Sequence, residues 1–174
     1  MSQYAGRRDP RFVAIHRGGL LDEPTHRLLA DWAADCAEHV LPLFLAVRAD
    51  DGRPLHAIET ARAWSRGQAT VSDAREAAFA AHAAAREATD PVAREVARAC
   101  GHAVATAHMA DHELGAPFYA IRAVRLASSG SEAQAAGERE CRWQRDQLPD
   151  AIRELVLSDQ ELRAAKFQSA FDCR

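Results

Sequence analysis

Two carboxylates and three of the chain's eight histidines crowd into Gly101-His102-Ala103-Val104-Ala105-Thr106-Ala107-His108-Met109-Ala110-Asp111-His112-Glu113-Leu114-Gly115, so chemistry is sought here first. On a helix turning about 100° per residue, His108, Asp111 and His112 share a face with Val104 and Gly115, and His102 points away. The i, i+4 spacing of His108 and His112 would let two imidazoles reach one metal, which needs further ligands. Asp111 and the first helix's Asp35 and His39, also at i, i+4, are the best candidates. Those five converge if the two helices are neighbours, although the Glu-x-x-His signature of carboxylate-rich bundle sites is missing. Without a metal, Asp35 with His39, or Asp111 with His108 or His112, would make an acid–base dyad. A hydrogen-bonded seam between helices is the third reading, and the residues leave all three open.

Other chemistries lack their residues. There is no G-x-S-x-G elbow, and no cysteine has a sequence-local partner. Arg17-Gly18-Gly19 belongs to no phosphate-cradling loop, so no cofactor is expected. Gly101 reads as a close helix contact and Gly115 as a helix stop. Glu59, Arg62 and Trp64 could line a recognition surface, but in a chain with 6% aromatics a tryptophan more simply fills a gap between alanine-lined helices.

The elements that must position these residues are helices. Alanine, the strongest helix former, fills 39 of 174 positions. A first helix starts near Asp22-Glu23-Pro24-Thr25 and buries Leu29, Ala33, Cys36, Val40, Leu43, Phe44 and Val47. After the Asp50-to-Pro54 turn, a second runs to about Arg66 and stops at Gly67. A third follows Ser72, and Thr89-Asp90-Pro91 opens a fourth over about 91–114. A fifth passes through Tyr119, Val124 and Leu126. Ser131-Glu132-Ala133-Gln134 and Ser158-Asp159-Gln160-Glu161 match the capping box and would each open a further helix. Residues 1–20 read as an extended arm with a β-like patch at 11–15, and 21–174 as one domain. The fold expected is all-α: a compact, irregular bundle of about six to eight antiparallel helices.

Charge and cysteines limit the function classes. The net charge is −3 and the signs are interspersed, which argues against nucleic acid as a partner. The exception is the arm, with Arg7, Arg8, Arg11 and Arg17, a solvated tail or a strap for an acidic partner. Cys36, Cys100, Cys141 and Cys173 show no C-x-x-C pairing and read as reduced thiols. With no membrane-length apolar run and no apolar leader, the expectation is a cytoplasmic protein off the membrane.

The segments Trp32-Ala33-Ala34-Asp35-Cys36-Ala37-Glu38-His39-Val40-Leu41, Ala61-Arg62-Ala63-Trp64, Ala77-Ala78-Phe79-Ala80-Ala81-His82 and Ala107-His108-Met109-Ala110-Asp111-His112 together carry a resemblance. Over residues 10–160 the chain resembles the bacterial immunity-protein family, helical proteins related to the fifth group of immunity proteins of polymorphic toxin systems. The resemblance implies an all-α cytosolic fold that neutralises a cognate toxin by direct binding; we read the chain as a non-catalytic bundle that binds its partner through one exposed helical face and the N-terminal arm. An immunity protein against a basic toxin would present a strongly acidic face, whereas this chain is nearly balanced. The alternative is a small helical-bundle enzyme, for instance in secondary-metabolite biosynthesis, turning over a small-molecule substrate in a pocket of Asp35, His39, His108, Asp111 and His112. Homodimerisation is left open.

Overall fold

A computed structural model describes residues 8–173; Arg7 of the basic arm lies outside them. Among the described residues seven α-helices follow one another: α1 Glu23–Leu45, α2 Arg53–Ser65, α3 Val71–Glu87, α4 Pro91–Ala105, α5 Gly115–Ala127, α6 Glu132–Asp146 and α7 Asp150–Leu162. Among the described residues no strand forms, and the bundle is all-α as expected.

Local chemistry sets most boundaries. The Asp22 carboxylate caps α1 by accepting from the Thr25 amide at 2.8 Å, and Asp90 does the same for α4 through Ala93 at 2.7 Å. Gly67, at φ +72°, ends α2 in the left-handed conformation that a side chain disfavours. Thr70 and Asp73 form a reciprocal capping box at the start of α3, which the sequence reading missed. Two expected boxes are absent. Ser131 caps α6 without a side-chain hydrogen bond. Ser158 lies inside α7, donates to the Leu155 carbonyl at 2.9 Å, and accepts from Arg11.

The interior divides by side-chain size. Around α4, which packs on α1, α2, α3 and α5, the core is largely alanine, with Val40, Leu41, Phe44, Ile58, Val96 and Val104 as its bulkier members. Small side chains let these helices approach closely. Each alanine removes little apolar area from water, so this layer gives geometry more than free energy. The second core holds Trp32, Phe12, Phe118, Ile121, Ile152, Phe167 and Phe171, contributed by α1, α5, α7, the arm and the C-terminal tail. Such large side chains contribute about 1.5–3 kcal/mol each when fully buried.

Three expectations change. Residues 8–22 are not an extended arm: they coil through 3-10 turns at Pro10–Phe12 and Ile15–Arg17, with one bridge between Ala14 and Leu21. The β-like patch fails because Asp9 accepts from the Arg11 amide and fixes the first turn. The cysteines are not four free thiols. Cys141 on α6 and Cys173 in the tail form a disulfide, their Cα atoms 5.9 Å apart, and Cys36 and Cys100 are free and buried. Third, the helix expected over 91–114 stops at Ala105. There the Thr106 hydroxyl turns back to the His102 carbonyl at 3.1 Å, and His26 of α1 donates to the Thr106 carbonyl at 2.6 Å. That carbonyl is thus taken by a side chain from another helix, and Met109 becomes extended. A short 3-10 turn, Ala110–His112, follows, and Gly115 begins α5, where a helix stop was expected.

Candidate functional site

The two residues expected from α1 are held by different neighbours. Asp35 accepts from Arg62 of α2 at 2.8 Å, and the same guanidinium reaches Glu38 at 2.7 Å. Burial lifts the Asp35 pKa, against the downward pull of Arg62. His39, one turn on, faces α6: its ring stacks on Trp143 at 3.6 Å and its Nδ1 lies 2.8 Å from the Glu140 carboxylate. Glu140 is buried, which raises its pKa, and it also accepts from Gln144 at 3.0 Å. Both pairs join helices and leave Asp35 and His39 engaged away from α4.

His108, Asp111 and His112 follow α4 in the turn and the 3-10 segment, so helical geometry does not relate them. The rings of His108 and His112 lie 6.0 Å apart. Asp111 meets Arg8 of the arm at 3.5 Å, and its other carboxylate oxygen is buried without a hydrogen-bond partner. Among the described residues no hydrogen bond joins Asp111 to either histidine.

His102, expected to point away, is the neighbour of His112. Its ring centroid is 5.5 Å from that of His112, 5.1 Å from His82 of α3 and 5.1 Å from the nearly parallel Tyr119 of α5. His82, His102, His112 and His108 thus form a column of imidazoles. Two glycines make room for it: a Cβ on Gly101 would meet the His82 ring at 2.7 Å, and one on Gly115 would meet His102 at 2.5 Å. Those glycines are the sequence signal that could have found His82 and His102. Burial lowers the pKa of all four, and His102, also repelled by its histidine neighbours, falls to about 3. The column is neutral at pH 7. It packs as aromatic surface, and the His102 Nδ1 is buried without a partner.

Among the described residues no three His, Cys, Asp or Glu side chains group so as to hold a metal ion. Burial raises the pKa of the Cys36 and Cys100 thiols, which makes them poor nucleophiles.

Among the surface grooves of the described residues, two flank helices α1 to α4. One, of about 450 Å³, lies between the arm, the start of α1 and the turn after α4, with Arg8, Ile15, Arg17, His26, Trp64 and His108 in its wall. The other, of about 470 Å³, runs between α2 and α3 past His56, Glu59, Thr60, Asp73, Glu76 and Ala77. Phe79 on α3 stands 67% exposed and Leu55 on α2 stands 37% exposed.

A model of one protein family, described as Imm-5 like putative immunity protein, matches residues 19–151. The chain belongs to that family. No curated protein and no solved structure matches the chain. The matched Imm-5 like region takes in α1 to α6 with the histidine column and the whole α2–α3 groove. Most of the arm, most of α7 and the disulfide-bound tail lie outside it. Among the described residues of this Imm-5 like chain, no helix is long and apolar enough to cross a membrane.

Proposed function

We propose that this chain is an immunity protein that neutralises a toxin by binding it directly, acting in the cytosol of the cell it protects. The observation that carries this reading is the match of the Imm-5 like family over residues 19–151. The surface supports it: an exposed aromatic side chain and an open groove on a helical pair are features of a protein-docking face. The enzyme alternative needs Asp35, His39, His108, Asp111 and His112 at one pocket, and the first two are engaged by Arg62 and by Glu140 with Trp143.

The test is protection with stoichiometric binding. Toxin-domain proteins encoded by the genes flanking this one are expressed with and without the chain, and the purified pair is titrated by calorimetry. Restored growth together with a saturable complex of fixed stoichiometry supports the reading. Absence of both growth rescue and binding for every flanking toxin domain overturns it.

A further inference from the structure

Net charge conceals a local imbalance in the α2–α3 groove. Glu59 and Glu76 face it from opposite helices, both exposed, and among the described residues neither makes an ion pair or a hydrogen bond. Asp73 adds a third carboxylate, engaged by the Thr70 amide and hydroxyl at 2.7 Å each. No arginine or lysine lines the groove, and His56 is its one basic group. By contrast, Arg62 serves Asp35 and Glu38, and Arg53 serves Asp51 and Glu87. Apolar surface borders the acids. Phe79 follows Glu76 by three residues and Leu55 precedes Glu59 by four, so each stands one helical turn from an unpaired carboxylate.

We infer that the α2–α3 groove is the docking face for the toxin, and that the toxin element it receives is basic, an arginine- or lysine-bearing segment with an apolar neighbour. The inference rests on the immunity reading above and adds where and with what chemistry the partner binds. Glu59 and Glu76 bracket the basic head group, the small side chains of Thr60 and Ala77 leave room for its aliphatic stem, and Phe79 is the apolar anchor beside it. The charge steers encounter and sets register, and the aromatic contact sets the dissociation rate. The arm groove has the opposite bias. Arg8, His16 and Arg17 line it, its Asp22 caps α1, and its Glu23 is paired with Arg27. Much of its wall precedes residue 19, where the family match begins, whereas the α2–α3 groove lies wholly within the match.

The flanking toxin domain that binds the wild-type chain is titrated against three variants, each verified by circular dichroism and melting temperature. Glu59→Lys/Glu76→Lys is expected to weaken binding at least ~30-fold and Phe79→Ala about 10-fold, while Ile15→Asp in the arm groove stays within ~3-fold. Raising salt should slow association with the wild type and have little effect on the charge-reversed variant. Should charge reversal disturb folding, Glu59→Gln/Glu76→Gln replaces it, with at least ~5-fold weakening expected. If the wild type binds and protects but the α2–α3 variants bind within ~3-fold of it, or Ile15→Asp alone abolishes binding, the inference is wrong and the immunity reading stands. A wild type that neither binds nor protects removes both.

Discussion

The imidazole of His102 occupies the space that a side chain at residue 115 would need: an ideal Cβ on Gly115 falls 2.5 Å from both the ring Cγ and Nδ1. The ring comes from α4 and the glycine opens α5, so one contact fixes the spacing of the two helices on either side of the 3-10 turn.

Gly115→Ala should therefore destabilise the fold by about 1–3 kcal/mol, as overpacking does. For a chain of this size, each kcal/mol lowers the melting temperature by about 2–4 °C. The cause is tested by a double-mutant cycle with His102→Ala. Removing the ring relieves the clash, so the double variant should lose less than the sum of the single losses. Strict additivity would show that the contact is not the source.

Acid should weaken the fold through the histidine column. His82, His102 and His112 have pKa values held below the ordinary 6.5, first by burial and then by each other and by Arg86, Arg98, Arg8 and Lys166; Asp111 opposes the shift at His112. A folded-state pKa below the unfolded value means the unfolded chain takes up the proton first. The contribution to stability is thus fully present above pH 6.5 and is lost as pH falls from there toward about 3, the value of His102. By pH 5, His102 alone should cost about 2 kcal/mol. Urea unfolding between pH 8 and pH 5 measures the slope, and His102→Phe should flatten it; an unchanged slope would remove His102 as its origin.

Arg163 should be the most sensitive single position on the tail side of the bundle. Its guanidinium donates to both Glu113 oxygens at 3.0 and 3.1 Å, to the Asp111 carbonyl at 3.0 Å, and to Asp159 at 2.8 Å through Nε. Glu113 is 0% exposed and Asp159 3%. Arg163→Ala leaves two buried carboxylates without their cation and should cost about 3–5 kcal/mol. Glu113→Gln keeps the shape of a side chain whose carboxyl pKa is raised well above the usual range by burial and by Asp159, and should cost clearly less. Equal losses in chemical denaturation would count against charge burial as the cause.

The disulfide closes a loop with a sequence separation of 32 residues and ties Phe167 and Phe171 into the second core. Thiol titration of the denatured, unreduced protein should find the two free cysteines, Cys36 and Cys100. On a loop-closure estimate, Cys173→Ser should lower stability by about 3–4 kcal/mol. Four titratable thiols would show that the bridge does not form.

Helices were legible in the sequence because their signals are local. Alanine content, apolar spacing, Asp22 and Asp90 as caps, and Gly67 as a stop all act within a few residues, and five of the seven helices fall close to their expected limits. Capping boxes were the exception: a matching tetrapeptide at Ser158 lies in the middle of α7, because a cap also needs the chain to turn there.

The sequence by itself determined an all-α chain of the Imm-5 like family, and marked the segment around His108 and His112 as unusual. Tertiary structure decided what that segment is. His26 of α1 takes the Thr106 carbonyl, the helix ends, and His102 joins the histidines from which helical geometry had separated it. It also decided that Asp35 and His39 serve α2 and α6, that Cys141 finds Cys173, and that unpaired carboxylates on two helices meet across one groove. Backbone periodicity repeats over a few residues and can be read along the chain. Partnerships between residues 27, 32, 80 or 101 positions apart depend on how helices pack, and packing is a property of the assembled core.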